Sequence, residues 1–185
     1  MDEIHIDFLN RPDVAALAMT DDEIIGAVET ALATQGRGEA VIEPRVHLEP
    51  GVSRGHFNVL RGALREPVDA AGVKVVGDFV DNYALGLPSE LALLMLFDPR
   101  TGVPKAILDA SGITDMRTGA ATAIGARHLA RPGSKVLGHV GARGTAYWNV
   151  RLLDSLFDFD EIRVHSHSPE SRDGFAARQI GRAHV

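Results

Sequence analysis

The chain contains no cysteine. A disulfide framework and a thiolate metal site are therefore excluded. Its longest uninterrupted apolar run covers residues 91–97, far short of the roughly 20 residues that a membrane-spanning helix requires. The acidic first residues lack the basic and apolar segments of a secretory signal peptide. These absences predict a cytoplasmic protein.

An excess of positive charge is also missing. The 19 Lys and Arg residues are outnumbered by 25 Asp and Glu residues, which leaves a net charge of -6. This balance argues against nucleic acid or an anionic membrane as the main partner, because both favour a basic face. The eight histidines show no paired spacing that would indicate a metal site. His139, inside an apolar strand, is interpreted as a hydrogen-bonded core residue.

The first two thirds of the chain predict a helix followed by a mostly antiparallel sheet. Residues 20–23, Thr-Asp-Asp-Glu, are typical of a helix N-terminus. Two short extended segments flank Pro44, and proline favours a sheet edge. Residues 98–102 carry turn residues between two apolar runs and predict a hairpin. The strand candidates are residues 40–42, 46–48, 56–60, 72–76, 91–97 and 104–110.

The pattern changes after a helix that is predicted to be capped by Thr114 and to end at Leu129. The small residues on one face of this helix require a close neighbour; they are Gly119, Ala120, Ala123 and Gly125. From residue 135 the order is strand, helix, strand, over residues 136–140, 145–156 and 161–165. That order predicts an α/β protein whose second part is the beginning of a Rossmann-type doubly wound parallel domain. The predicted limits are 1–131 and 132–179.

Three isolated cations lie in ordered segments. Arg117 is predicted in the first helical turn, where the dipole disfavours a cation, so a compensating anion is expected. Lys74 interrupts an apolar strand, either as the polar face of a half-exposed strand or as an ammonium that binds a substrate carboxylate and moves a proton. Arg45, beside Pro44, is the third candidate. The alternative for Arg117 is a solvated ion pair with Asp115 or Asp109.

The turn from residue 141 to 145 lies between a strand and a helix, which is a position that favours phosphate groups. Its residues are Gly141, Ala142, Arg143, Gly144 and Thr145. Arg143 occupies the site where the G-x-G-x-x-G pattern has its second glycine, so the turn is either a cofactor cradle or a plain loop. After the next strand, Ser166, Ser168 and Arg172 stand where an acid would bind the ribose of NAD. This substitution favours NADPH.

Taken in order, these residues resemble the ornithine cyclodeaminase and mu-crystallin family. The segments that carry the resemblance are residues 44–45, Gly72-x-Lys74, 86–89, 98–104, 114–120, 128–130 and the turn at Gly141. The resemblance implies a substrate-binding and dimerisation domain followed by an NAD(P)-binding Rossmann domain, in a homodimer. It also implies that Arg45, Lys74 and Arg117 bind the substrate carboxylate, with Lys74 near the proton transfer, and that Ser89 lies near the cofactor.

The family includes two chemistries. Reductases and dehydrogenases pass a hydride to or from an amino or imino acid, whereas cyclodeaminases also release ammonia and use a downstream aspartate. That position is not in this chain, and only 51 residues follow residue 134, so we expect an inactive N-terminal fragment. Residues 180–185 match the translation of a common sequencing adapter and are expected to be non-native.

The sequence thus predicts the N-terminal part of an NAD(P)H-dependent imino-acid reductase or amino-acid dehydrogenase. The alternatives are a cyclising ammonia-lyase of the ornithine cyclodeaminase type and a non-catalytic binding protein of the mu-crystallin type. A dicarboxylate such as iminosuccinate is the substrate hypothesis, because His47, Arg54 and His56 could add positive charge near Arg45.

Overall fold

The structure is a computed structural model that describes residues 3–178 and the backbone of residues 183–184. The chain divides into two compact units, the first of residues 1–18 with 30–113 and the second of residues 19–29 with 114–185. These units do not coincide with the predicted domains, residues 1–131 and 132–179, and the domain limits stay a prediction. The predicted non-native tail lies outside the described residues, apart from the backbone of residues 183–184.

A seven-stranded sheet forms the first unit, in the order β1-β7-β6-β5-β4-β2, with β3 also paired to β4. Neighbouring strands are antiparallel except for the parallel pair β1 and β7. A short 3-10 helix, Val80–Leu85, follows β5. The other elements are β1 (Asp7–Leu9), α1 (Arg11–Ala16), β2 (Ala40–Ile42), β3 (Val46–Leu48), β4 (Gly55–Leu64), β5 (Ala70–Phe79), β6 (Glu90–Phe97) and β7 (Pro104–Asp109).

The predicted sheet edge and hairpin are confirmed. Both segments that flank Pro44 are strands paired to β4, and β6 and β7 form the antiparallel hairpin. The elements β1 and α1 were not predicted from the sequence. Asn10 begins α1 through a capping box, in which its side chain accepts a hydrogen bond from the amide of Asp13 at 3.1 Å. The carboxylate of Asp13 accepts from the amide of Asn10 in return.

The two faces of this sheet differ in what covers them. Residues in register across antiparallel strands share a face, and so do residues two apart along one strand. Val76, Ala92 and Ala110 are buried together on one face, where Leu60 and Leu94 pack against them. The other face exposes Leu91 and Leu93, which are 41% and 58% accessible. One apolar face of the sheet therefore has no cover within its own unit.

The helix α2 (Asp21–Gly36) begins as predicted. The carboxylate of Glu23 accepts hydrogen bonds from the amide and the hydroxyl of Thr20, both at 2.8 Å, and the amide of Glu23 donates to the Thr20 hydroxyl. These bonds to Thr20 lower the pKa of Glu23. The arrangement is a capping box, which satisfies helix amides that have no partner inside the helix.

The second unit contains the predicted strand, helix and strand. A parallel sheet has the order β10-β9-β8. The elements from residue 111 onwards are α3 (Ser111–Leu129), β8 (Val136–Val140), α4 (Ala146–Phe157), β9 (Glu161–His165), α5 (Pro169–Arg178) and β10 (Ala183–His184). Val150, Leu152, Ile162 and Phe175 are almost fully buried in its core. No helix in the described part of the chain is long and apolar enough to cross a membrane.

The start of α3 corrects a prediction. The helix begins at Ser111, three residues before Thr114, which was predicted as its cap. The carboxylate of Asp109 accepts from the amide of Ser111 at 2.9 Å, which ends β7 and turns the chain into the helix earlier. Arg117 therefore lies in the second turn, and the expected conflict with the first-turn dipole does not arise.

The β6–β7 turn predicts a local dependence of stability on pH. Asp98 accepts from the amide and hydroxyl of Thr101 and from the amide of Arg100, and these bonds lower the pKa of Asp98 from 3.8 to about 2. A carboxyl whose pKa is lowered in the folded state stabilises the fold fully at pH values above its unfolded pKa of 3.8. This contribution is lost as the pH falls towards 2. We expect Asp98→Asn to show a smaller loss of unfolding free energy between about pH 4 and pH 2 in urea titrations. Parallel curves for the two proteins would contradict the assignment.

Candidate functional site

Lys74 lies on the covered face of the first sheet. It is in register with Leu60 on β4 and Leu94 on β6, two residues from the buried Val76. Its side chain is half-buried. Lys74 thus shares its face of the sheet with the buried Val76 and Ala92, and its substrate-binding role stays a prediction. An ammonium group on an apolar face is costly unless an anion or polar partner offsets it.

Arg45 and Arg117 differ from Lys74 in their exposure. Arg45 directly precedes β3 and Arg117 lies in α3, and both side chains are exposed. Neither guanidinium has a hydrogen bond or an ion pair within residues 3–178. The predicted pairing of Arg117 with Asp115 or Asp109 is thus not formed. Both cations are available to an anionic ligand.

The segment after β5 holds Ser89 in a hydrogen-bonded loop. The hydroxyl of Ser89 donates to the phenolic oxygen of Tyr83 at 3.1 Å, and the side-chain amide of Asn82 donates to the carbonyl of Pro88 at 2.9 Å. Gly86, in a left-handed conformation, ends the 3-10 helix. Sequence reasoning singled out Ser89 but missed Tyr83. Its hydroxyl is a second polar group beside the predicted cofactor contact.

The turn from Gly141 to Thr145 leads from β8 into α4. Gly141 has a φ of 103°, which a residue with a side chain rarely adopts, and its amide donates to the carbonyl of His165 at 2.8 Å. Thr145, the N-cap of α4, makes no side-chain hydrogen bond to the helix amides. A helix N-terminus that its own cap leaves unsatisfied attracts anions. The residues of this turn therefore fit the phosphate groups of a dinucleotide.

Arg143 and the beginning of α5 are connected. The guanidinium of Arg143 donates to the hydroxyl of Ser171 at 3.0 Å. Ser168 is the N-cap of α5, because its hydroxyl accepts from the amide of Ser171 at 3.2 Å. The same hydroxyl donates to Glu170 at 2.6 Å and lowers the pKa of that carboxyl. Sequence reasoning missed Ser171, which brings Arg143 to the end of β9.

The remaining predicted cofactor residues lie at the same end of β9. Arg172 donates to the neighbouring Asp173 at 3.1 Å, in a partly exposed ion pair. Ser166 directly follows β9 and is half-buried. Ala142, in the turn before α4, is almost fully buried. Serine hydroxyls and arginine, without an acid directly after the strand, are compatible with a phosphorylated ribose.

His139 has the role that the sequence predicted. It is half-buried, its Nδ1 lies 3.0 Å from the carbonyl oxygen of Gly141, and its ring stacks on Phe175. The hydrogen bond supports the backbone of the turn from inside the second unit. Within the part of the chain that the structure describes, no cluster of three potential metal ligands occurs.

Residues 51–55, Gly-Val-Ser-Arg-Gly, match the spacing of a hydrolase nucleophile elbow. The elbow requires a strand before the serine and a helix after it. Here the segment joins β3 to β4 and has no helix on either side. Ser53 is therefore not positioned as a nucleophile of that kind.

Comparison with known proteins gives consistent matches. The model of the ornithine cyclodeaminase/mu-crystallin family matches residues 5–183. The alanine dehydrogenase of Archaeoglobus fulgidus is 36% identical over 85% of this chain and 47% of its own length. The ketimine reductase mu-crystallin of Mus musculus is 30% identical over 96% of this chain and 58% of its own length. The chain thus spans about half the length of the curated relatives it matches.

Solved structures agree with these matches. A Thermococcus litoralis Δ1-pyrroline-2-carboxylate reductase in complex with NADH and L-proline has a TM-score of 0.91 at 31% identity, over 97% of this chain and 57% of its own. An archaeal alanine dehydrogenase dimer with bound NAD has a TM-score of 0.89 at 32% identity, over 97% of this chain and 55% of its own. A lysine cyclodeaminase has a TM-score of 0.83 at 30% identity, over 98% and 56%.

Proposed function

Because this chain belongs to the ornithine cyclodeaminase/mu-crystallin family, we propose that the whole protein is an NAD(P)H-dependent reductase of small imino acids, or the corresponding amino-acid dehydrogenase. The observation that carries the proposal is the position of Lys74, a half-buried cation on the covered apolar face of the sheet. Such a group is suited to bind a carboxylate. The relatives named as reductases and dehydrogenases support the same chemistry.

The proposed site residues have separate roles in substrate binding and in proton transfer. Arg45, Lys74 and Arg117 bind the carboxylate of the imino acid, and the Lys74 ammonium holds or moves a proton beside it. A nicotinamide cofactor, when bound, supplies a hydride to the imine carbon. The carbon-nitrogen double bond takes up this hydride at carbon and a proton at nitrogen and becomes an amine, while NAD(P)H becomes NAD(P)+. Binding energy at the carboxylate orients the imine carbon.

The cofactor proposal assigns the phosphates and the ribose to different residues. Gly141, Ala142, Gly144 and Thr145 hold the pyrophosphate at the start of α4, and Ser89 lies near the nicotinamide. Ser166, Ser168, Arg143 and Arg172 bind the ribose. Because hydroxyl and guanidinium groups lie at the end of β9 and no acid directly follows the strand, we propose a preference for NADPH, whose ribose carries an additional phosphate.

Replacing Arg172 with alanine is expected to lower kcat/KM for NADPH by about 10- to 100-fold, because a hydrogen bond to a charged group contributes about 1.5–3 kcal/mol. The value for NADH should change little. The control is Arg127→Ala, which removes an exposed arginine of α3 that is paired with Glu29 of α2. A wild-type protein that strongly prefers NADH would refute the NADPH proposal, as would equal losses with both cofactors.

The rival function within the family is a cyclodeaminase, which is supported by the similarity to lysine cyclodeaminase. Incubation of the whole protein with ornithine separates the two, because a cyclodeaminase forms proline and ammonia without net use of cofactor. Substantial proline would contradict the reductase proposal. A mu-crystallin-type binding protein would bind a nicotinamide cofactor and yet consume none with any imino acid.

The dicarboxylate hypothesis rested on His47, Arg54 and His56. The guanidinium of Arg54 donates twice to Asp81, once at 3.1 Å from Nε. This pairing lowers the pKa of Asp81, so both groups stay charged and neutralise one another. An iminosuccinate-like substrate therefore loses one of its three proposed contacts.

We also propose a homodimer formed through the first unit. Its sheet has one uncovered apolar face with a groove of about 380 Å³, lined by Phe57, Val75, Phe79, Leu91 and Leu93 among others. A contiguous apolar patch of this kind marks an interaction surface. The archaeal alanine dehydrogenase is a dimer, which supports a second copy as the occupant. A cytoplasmic location remains part of the same proposal.

A further inference from the structure

Two histidine rings face the same side of the first sheet as Lys74. His47 on β3 is in register with Asn58 on β4, and His56 lies two residues before Asn58. The centroids of the two imidazoles are 5.3 Å apart. His47 is exposed and His56 is half-buried, so both can reach a ligand. The pairing of Arg54 with Asp81 leaves this imidazole pair, His47 with His56, as the two remaining groups of the dicarboxylate hypothesis.

Asn58 orients one ring of the imidazole pair. Its Nδ2 lies 3.1 Å from Nε2 of His56. When the amide donates to Nε2, the neutral ring carries its proton on Nδ1, which leaves Nδ1 free to donate. The Oδ1 of Asn58 is buried and has no hydrogen-bond partner in the described part of the chain. A buried acceptor without a partner costs stability. This cost indicates that the role of Asn58 is to position the ring of His56.

His47 and Asn58 lie one row of the sheet from Lys74, and His56 lies two rows from it. Leu60 is opposite Lys74, and Asn58 is the next residue of β4 on this face. Asn58 and Lys74 are therefore diagonal neighbours, roughly 7–8 Å apart, so a substrate held at Lys74 can extend its side chain towards the imidazole pair. The row on the other side of Lys74 consists of Gly62, Gly72 and Leu96 and offers no polar side chain.

The charges around the imidazole pair disfavour a second carboxylate. Asp78 is in register with His56, and Glu90 is in register with Asp78 on the same face. Arg54 is neutralised by Asp81. The two carboxylates repel a further anion, while the ring nitrogens of the imidazoles supply hydrogen bonds. An uncharged polar group fits this environment better than an anion does.

We propose that His47 and His56, positioned by Asn58, bind the side chain of the substrate and select an imino acid with a hydroxyl or carboxamide group. This inference rests on the proposed reductase function, because it takes Lys74 as the group that holds the substrate carboxylate. It names a specificity-determining pair that acts on the part of the substrate away from the reacting imine.

The test compares three imines formed in solution from ammonia and a 2-oxo acid, with methyl, hydroxymethyl and carboxymethyl side chains. The wild-type protein should give its highest kcat/KM with the hydroxymethyl imine. His47→Ala/His56→Ala should lower that value by about 10- to 100-fold, because the hydroxymethyl imine loses hydrogen bonds to the rings. The kcat/KM for the methyl imine, which makes no such bonds, should be nearly unchanged. His47→Gln/His56→Gln, which keeps hydrogen-bonding groups, should restore part of the loss.

The control is His5→Ala, since His5 is exposed at the chain start and pairs only loosely with Glu3; it should leave all three values unchanged. Equal losses with all three imines, or highest activity with the carboxymethyl imine, would overturn the proposal. Failure to reduce any imine would instead refute the reductase function. In that case calorimetric binding of serine, alanine and aspartate decides: serine affinity that is unaffected in His47→Ala/His56→Ala overturns the proposal, and a selective loss supports it.

Discussion

Replacing Lys74 with alanine is expected to lower kcat for imino-acid reduction by about 100- to 10,000-fold, the range found for positioned proton donors and acceptors. The reason is the location of Lys74 on the covered face of the sheet, next to Leu60 and Leu94. In the variant, water beside the apolar face is a poor replacement for the Lys74 ammonium as a positioned proton donor. KM should rise as well, because the same group is proposed to bind the carboxylate. Steady-state kinetics of the whole protein measure both effects.

Lys105→Ala is the matched control for Lys74. Lys105 also lies in a strand of the first sheet, but its ammonium is exposed and pairs with Asp98 at 3.3 Å. It should leave kcat and KM unchanged. A Lys74→Ala protein with a raised KM and a normal kcat would remove the proton-transfer role from Lys74. Unchanged kcat and KM together would remove Lys74 from the site.

The second large effect is expected for Gly119→Val in α3. A Cβ atom on Gly119 would lie 2.6 Å from both the carbonyl carbon and the carbonyl oxygen of Trp148. These are backbone atoms of α4, so the two helices must move apart to admit a side chain. Overpacking in a core costs about 1–3 kcal/mol and occasionally more. We expect a loss of about 3 kcal/mol or more in the free energy of unfolding, measured by urea titration.

Gly125→Ala is the control within the same helix. Nothing lies within 4 Å of a Cβ atom at Gly125, and alanine is about 1 kcal/mol more favourable than glycine in a helix interior. This variant should therefore be slightly more stable than the wild type. If Gly119→Val were as stable as Gly125→Ala, the close packing of α3 on α4 would be refuted.

Local patterns predicted the elements that have strong local signals. The strands β8 and β9 agree with the predicted residues, because apolar runs there end at glycine, aspartate and serine. The small face of α3 was also predicted to need a close neighbour, and Trp148 is that neighbour. The capping pattern of Asn10 and Asp13 is a local signal of the same kind for α1. The parallel pairing of β1 with β7 depends on a contact about 100 residues away along the chain, which three residues do not encode.

The site was predictable where residue type alone carries the signal, and less so where partners decide. Isolated cations in apolar segments singled out Lys74 and Arg117, but which face of the sheet carries Lys74 depends on the register of β4, β5 and β6. The partners of Ser89 and Arg143, which are Tyr83 and Ser171, follow from loop conformations. The pairing of Arg54 with Asp81 likewise joins residues 27 apart along the chain and changes the substrate expectation.

The proposed reductase passes a hydride from the cofactor to the imine carbon of a free imino acid. The most direct measurement uses nicotinamide cofactor with deuterium at the transferred position, together with an imino acid, and locates the label by mass spectrometry. We predict one deuterium on the α-carbon of the amino acid for each cofactor oxidised. An unlabelled product with no cofactor oxidised, together with proline and ammonia formed from ornithine, would contradict the claim.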